Sequence, residues 1–135
     1  MADHVRSVKV GPWVLAVLPV DIDAVSSPAL GSELGSLLDG DVTVLVADMT
    51  GTGFCDSSGV RMLVLVNRHA AESGSEFRLV IPSSAVRRVL NLMGADQVLK
   101  VFGSMNEALV DAPAHVRTGQ REGETEQTGP GGVLA

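Results

Sequence analysis

The chain has 135 residues, 45% of them hydrophobic, and a net charge of −6 from sixteen acids against ten bases. That length fits one domain able to bury a core without disulfides or structural metal. No apolar run reaches the roughly 18 residues of a membrane span, and neither the bases nor the few aromatics cluster into a patch that would hold a phosphate backbone. Membrane and nucleic acid are therefore excluded as partners. The start, MADHVRSVKVGPW, sets Asp3, Arg6 and Lys9 where an export signal needs an unbroken apolar stretch, so the cytoplasm is the expected location. Cys55, the single cysteine, can form no internal disulfide and no paired metal or redox motif.

In chain order, VRSVKV (residues 5 to 10) and WVLAVL (13 to 18) flank Gly11-Pro12 and predict a hairpin. After Asp21-Ile22-Asp23, Ser27 is the expected N-cap of a first helix with Pro28 at its first position and Leu30, Leu34, Leu37 and Leu38 on one face, ending near Asp39-Gly40. Residues 42 to 47, VTVLVA, are apolar at nearly every position, as a central strand covered on both faces requires. A second helix should run from Ser57 or Ser58 to about Ser73, stopped by Gly74, with Val60, Leu63 and Val64 buried. FRLVI (77 to 81) reads as a strand. Val86, Val89, Leu90 and Met93 then give an amphipathic helix stopped by Gly94, with Arg87-Arg88 on its solvated face. VLKVF (98 to 102) alternates like an outer strand, and Ser104 to Glu107 has the Ser-x-x-Glu form that opens a last short helix. Trp13, Met62 and Met93 are expected in the packing. From about 113 to 135 the chain is rich in Gly, Thr, Glu and Gln, and a disordered tail is expected. The sum is an α/β domain over residues 1–112, with a mixed five-stranded sheet, about four helices and a tail over 113–135.

Between the central strand and the second helix stands GFCDSSGVRML, residues 53 to 63. Asp56 and the two serines could serve only as ordinary caps for the helix's orphan N–H groups. A second reading uses the same N–H groups differently: a phosphate on a hydroxyl there meets donors and the positive end of the helix dipole, so it need not unfold its own domain.

VADMTGTGFCDSSGV with its apolar helix, then FRLVIPSSAVRRVLNLMGADQVLKVFGSMNEAL, resembles the STAS-domain anti-sigma factor antagonists of bacteria over about residues 5 to 111. The resemblance implies a non-enzymatic switch. Ser57 would accept phosphate from an anti-sigma factor that is itself a serine kinase, an ATPase of histidine-kinase-like type. Unphosphorylated protein would bind that kinase and free a sigma factor, phosphorylation would abolish binding, and a serine phosphatase would reset it. No cofactor belongs to this chain, ATP and Mg²⁺ being the kinase's. By the resemblance Asp56 matches the acid before the phosphoacceptor, Asp23 the acid that lies near it, and Asp21 falls in the same aligned stretch; Ser58 and Gly59 complete the DSSG. The sequence departs from the family at Val60-Arg61, where Leu-Gly is usual, and at Val20, where Gly is usual. Arg61 follows Ser57 by four residues on the same helical face, placed to pair with phosphate or with an acid of the partner.

Other chemistry finds little support. A nucleophilic Cys55 would sit at a strand end where small buried cysteines are common. His4, His69 and His115 are scattered with no triad spacing, and there is no GxSxG elbow. Thr50-Gly51-Thr52-Gly53 lacks the Lys-Ser/Thr of a phosphate loop and reads as a turn. The competing class is a STAS scaffold, or a regulatory subunit of a signalling or transport complex, without a phosphoswitch; such a member could lose the acceptor hydroxyl without penalty.

Overall fold

The structure, a computed structural model, describes residues 5–117. Its frame begins with β1 (Arg6–Val10) and β2 (Trp13–Val17), antiparallel across a turn in which Gly11 adopts φ +60°, a conformation that side chains disfavour. From there the sheet grows by parallel pairing through β4 (Val44–Asp48), β6 (Glu76–Val80) and β7 (Lys100–Phe102), in the order β1-β2-β4-β6-β7. The expected mixed five-stranded sheet is present. β4 starts two residues later than the sequence suggested because the Thr43 N–H is taken by the Pro12 carbonyl at 2.8 Å, before the ladder begins.

Helices α1 (Ser27–Leu37), α2 (Ser57–Glu72) and α3 (Ser84–Leu92) cover one face of the sheet. α1 carries Gly31 and Gly35 in its interior, each costing about 1 kcal/mol relative to Ala. Leu30, Leu34 and Leu38 are buried against Leu45 and Leu63, and at roughly 2 kcal/mol for each buried leucine they outweigh the glycines. Ser27 is not the N-cap. That position falls to Ser26, whose hydroxyl makes no capping bond, and the entry turn is held instead by Asp23, three residues upstream. Met93, expected in the core, is 42% exposed, because α3 ends at Leu92 and the chain turns at Gly94 with φ +74°. The outer strand is shorter than expected: Ala95–Gln97 form a 3₁₀ turn ahead of β7.

The second face is closed by the chain's own C-terminal part. α4 (Met105–Ala108) is capped by Ser104, which accepts from the Glu107 N–H at 3.2 Å, as the Ser-x-x-Glu spacing predicts. Beyond it, residues 114–117, assigned from sequence to the tail, form the short helix α5 (Ala114–Arg117). Leu109, Ala112 and Val116 are buried with Trp13, Leu15, Val46 and Val80. The rest of the expected tail, including Glu122, Glu124 and Glu126, lies outside the described residues, as does His4.

Arg78, on β6, points into this apolar face and is only 6% exposed. It is satisfied on every side. Nε donates to Glu76 at 2.8 Å, Nη1 to the Ala108 carbonyl at 2.7 Å, and Nη1 and Nη2 hold the Asp111 carboxylate at 2.7 and 2.9 Å. The guanidinium carbon lies 5.0 Å from the Trp13 ring centroid and 5.8 Å from that of Phe102. Its hydrogen bond holds the Asp111 carboxyl below the usual carboxylate range, and does the same for Glu76 with help from Lys100.

Arg78→Ala deletes a buried side chain that packs on Trp13 and Phe102 and takes the donor from the Ala108 carbonyl, so it should destabilise the fold by about 2–4 kcal/mol in urea denaturation followed by Trp13 fluorescence. The carboxyls contribute fully above their unfolded pKa values of about 4 and lose that contribution as pH falls through the lower folded values. Asp111→Asn should therefore flatten the loss of stability between pH 5 and pH 2 on the same fluorescence assay; an unchanged slope would show that the clasp carries none of it.

Candidate functional site

The stretches around Asp21 and Asp56 are loops by periodicity, yet they lie side by side. β3 (Asp21–Ile22) and β5 (Phe54–Cys55) form a parallel ladder that sets Asp21 against Phe54 and Ile22 against Cys55. The seam continues on both sides. The Gly53 N–H donates to the Val20 carbonyl at 2.9 Å, the Thr52 hydroxyl to the Pro19 carbonyl at 2.8 Å, and the Asp56 N–H to the Ile22 carbonyl at 3.1 Å. Asp21, Asp23, Asp56 and Ser57 thus share one edge. Thr50 to Gly53 form the expected turn: the Thr52 N–H donates to the Met49 carbonyl at 3.0 Å, while Asp48 accepts from the Thr50 N–H at 3.0 Å.

Asp56 caps α2. Its backbone is extended and its carboxylate accepts from the Gly59 N–H at 3.1 Å. Ser57 and Ser58 are therefore the first two helical residues, and capping accounts for neither. Ser57 is exposed, Ser58 half-buried, and among the described residues neither hydroxyl has a hydrogen-bond partner. Gly59 is required by space: a Cβ there would stand 2.6 Å from Cys55 Sγ and 2.8 Å from Ile22 Cγ2. The closeness of α2 to the ladder, and hence the position of Ser57, rests on that missing methyl.

Asp23 has structural work as well as charge. One oxygen accepts from the Val25 and Ser26 N–H groups, each at 3.0 Å, and from the Ser26 hydroxyl at 3.2 Å. The Ser26 N–H foremost, then the Ser26 hydroxyl and the Val25 N–H, hold its carboxyl below the usual range against the opposing effect of burial. Asp21 is exposed on the ladder's rim, and Arg61, one turn after Ser57, is exposed with no ion pair among the described residues. Sequence reasoning missed the apolar component: Val20, Val25 and Phe54 are exposed around these acids. The only signal for it was their place in segments lacking helix or strand period.

Cys55 is buried, and burial first, with the Asp56 charge second, pushes its thiol up to about 11. A thiol so held is almost wholly protonated at neutral pH and is a poor nucleophile. Among the described residues no three His, Cys, Asp or Glu side chains are grouped to hold a metal ion. What the edge offers is an unengaged hydroxyl at the positive end of a 16-residue helix, beside carboxylates and apolar side chains.

A hairpin feeding a parallel sheet, helices on one face and this helix start at the strand ends define the domain type. The sequence matches the STAS domain family over residues 8–108, and the chain belongs to that family. It is similar to the anti-sigma-F factor antagonist RsfB of Mycobacterium tuberculosis, 30% identical over 97 residues that span 70% of this chain and 79% of RsfB. The crystal structure of an anti-sigma factor antagonist from Mycobacterium paratuberculosis superposes with a TM-score of 0.72 at 22% identity, over 81% of this chain and 92% of that one. The Bacillus cell fate determinant SpoIIAA in its phosphorylated form superposes with a TM-score of 0.61 at 20% identity, over 82% of this chain and 100% of that one.

Gly59→Ala should cost about 1–3 kcal/mol in chemical denaturation despite alanine's better helix propensity, because the added methyl must push α2 off the ladder. Cys55→Ala in the same chain should restore part of the loss; no coupling between the two would refute the contact.

Proposed function

We propose that this chain is an anti-sigma factor antagonist in a bacterial partner-switching pathway, with Ser57 as its phosphoacceptor. The observation that carries the reading is the Ser57 hydroxyl: exposed, unpartnered among the described residues, and first in a helix whose cap Asp56 already supplies. The similarity to RsfB supports the same role.

In this reading the unphosphorylated edge binds an anti-sigma serine kinase, which thereby releases its sigma factor. The Ser57 oxygen attacks the γ-phosphorus of kinase-bound ATP, an O–P bond forms as the bond to ADP breaks, and the hydroxyl proton passes to a base of the kinase. ATP and Mg²⁺ stay with the kinase. The phosphate adds about −1.5 to −2 charges beside Asp21, Asp23 and Asp56, repelling whatever acids the partner presents and burying charge against its apolar surface. The helix start tolerates the group because free N–H donors face it. A serine phosphatase restores the hydroxyl by hydrolysis to inorganic phosphate. The chain performs no catalysis in this scheme, and its site of action is the cytoplasm; among the described residues no helix is long and apolar enough to cross a membrane. Arg61, four residues after Ser57, is placed to hold the phosphate or to meet an acid of the kinase.

A comparative pull-down from the source bacterium with tagged wild type, Ser57→Ala and Ser57→Asp tests the switch. Wild type and Ser57→Ala should recover a small ATPase-kinase, and Ser57→Asp should lose it while keeping the wild-type melting temperature. Equal recovery by all three baits, or recovery of a membrane complex alone, would leave a scaffold or transport subunit in place of the switch. Arg61→Gly should change the kinase affinity or the lifetime of the phosphate; if neither moves, Arg61 has no part in it.

A further inference from the structure

We propose that the groove between α1 and α2 seats a helix of the same partner that docks at Ser57, with Arg61 taking a carboxylate of that helix. This rests on the reading that an anti-sigma kinase binds the Ser57 edge. Both helices follow parallel strands, so they run in the same direction and their N-terminal ends meet at that edge. Between them lies an open cleft of about 780 Å³, walled by Gly31 and Gly35 of α1 and by Arg61, Met62, Leu65 and Val66 of α2.

Three observations point to a partner helix. The groove is continuous with the switch edge, since Ser58 also lines it and is the neighbour of Ser57. Its mouth, at the end next to Ser58, carries a cation where the edge carries acids: Arg61 is exposed and without an ion pair among the described residues, Asp21, Asp23 and Asp56 belong to the edge, and the acid that lines the groove, Asp39, lies beyond the C-terminal end of α1. A partner matching both carries basic groups for the edge and a carboxylate for the mouth. Behind Arg61 by one helical turn stands Leu65, 52% exposed on the groove wall. An apolar stripe at i, i+3, i+4 and i+7 on the incoming helix would cover that wall, the usual way an amphipathic helix enters a groove. A second copy of this chain fits less well, because it brings another net charge of −6.

The arrangement also states how one modification clears both surfaces. Arg61 lies four residues beyond Ser57, so a phosphate on Ser57 draws the guanidinium toward itself and out of the groove mouth. The edge gains repulsive charge and the groove loses its cation together.

The test is photocrosslinking in the source bacterium, with p-benzoylphenylalanine placed in the full chain at Phe54 on the edge, at Leu65 in the groove, or at Leu92, an exposed control on α3. The expected result is the same kinase captured from Phe54 and Leu65 and not from Leu92, with the Leu65 adduct on an amphipathic helix that carries an acid. Capture of the kinase from Phe54 but not Leu65, or of a second copy of this chain at Leu65, overturns the groove and leaves the switch intact. No kinase at Phe54 overturns the switch and the groove with it. Gly35→Leu provides an independent arm: position 35 lines the groove and a Cβ there meets nothing within 4 Å, so the substitution adds apolar bulk to the groove from an unobstructed start. Affinity for the captured kinase should fall by about tenfold at unchanged melting temperature; unchanged affinity overturns the proposal.

Discussion

Two segments more than thirty residues apart are sewn together by hydrogen bonds, from the Thr52 hydroxyl on the Pro19 carbonyl at one end to the Asp56 N–H on the Ile22 carbonyl at the other. Without that seam Asp21 and Asp23 would belong to one loop and Ser57 to another, and no edge would exist. The seam tolerates so short a ladder because α2 presses on it from above, and α2 can come so close only where Gly59 leaves room for Cys55 and Ile22. Each residue of the DSSG run then has its own reason: Asp56 caps one N–H of the helix end, Gly59 permits the approach, and the serines keep hydroxyls without a partner among the described residues.

The opposite face of the sheet solves a different problem. Three large helices protect one side, whereas Trp13, Leu15, Val46 and Val80 on the other have only the thin cover of α4 and α5. A buried arginine looks costly there, yet its charge is met by two carboxylates, a carbonyl and two aromatic faces. Arg78 thereby fixes where the cover folds back, since Ala108 and Asp111 bracket the turn between the two short helices. Apolar burial supplies most of the attraction and the ionic contacts set its register.

The hairpin, the central strand and the long helices were legible because their signals are repeated over many residues: alternation, an apolar run, a heptad-like stripe ended by Gly74 or Gly94. What stayed hidden rests on single residues. A two-residue strand such as Phe54–Cys55 has no period to detect. Val116 is an isolated apolar residue in a polar stretch, and its burial follows from the sheet face that it covers, hundreds of atoms away in the chain's order but adjacent in space. Arg78 alternates with Phe77 and Leu79 and so faces away from the three long helices, and its burial depends on the cover that α4, α5 and Asp111 provide on that face. At the site the acids and serines were named through resemblance to a family, while the capping of α1 by Asp23 and the exposed Val20, Val25 and Phe54 depended on the third dimension.

The placement of α5 has one more consequence. His115 approaches Gly11, at the start of β2, whereas the acidic edge with Ser57 lies beyond the ends of the parallel strands. The described chain therefore leaves Arg117 at the opposite pole of the sheet, separated from Ser57 by at least the length of β2, about 17 Å for its five residues. A contact made at Arg117 would therefore leave the acidic edge with Ser57 facing away from it.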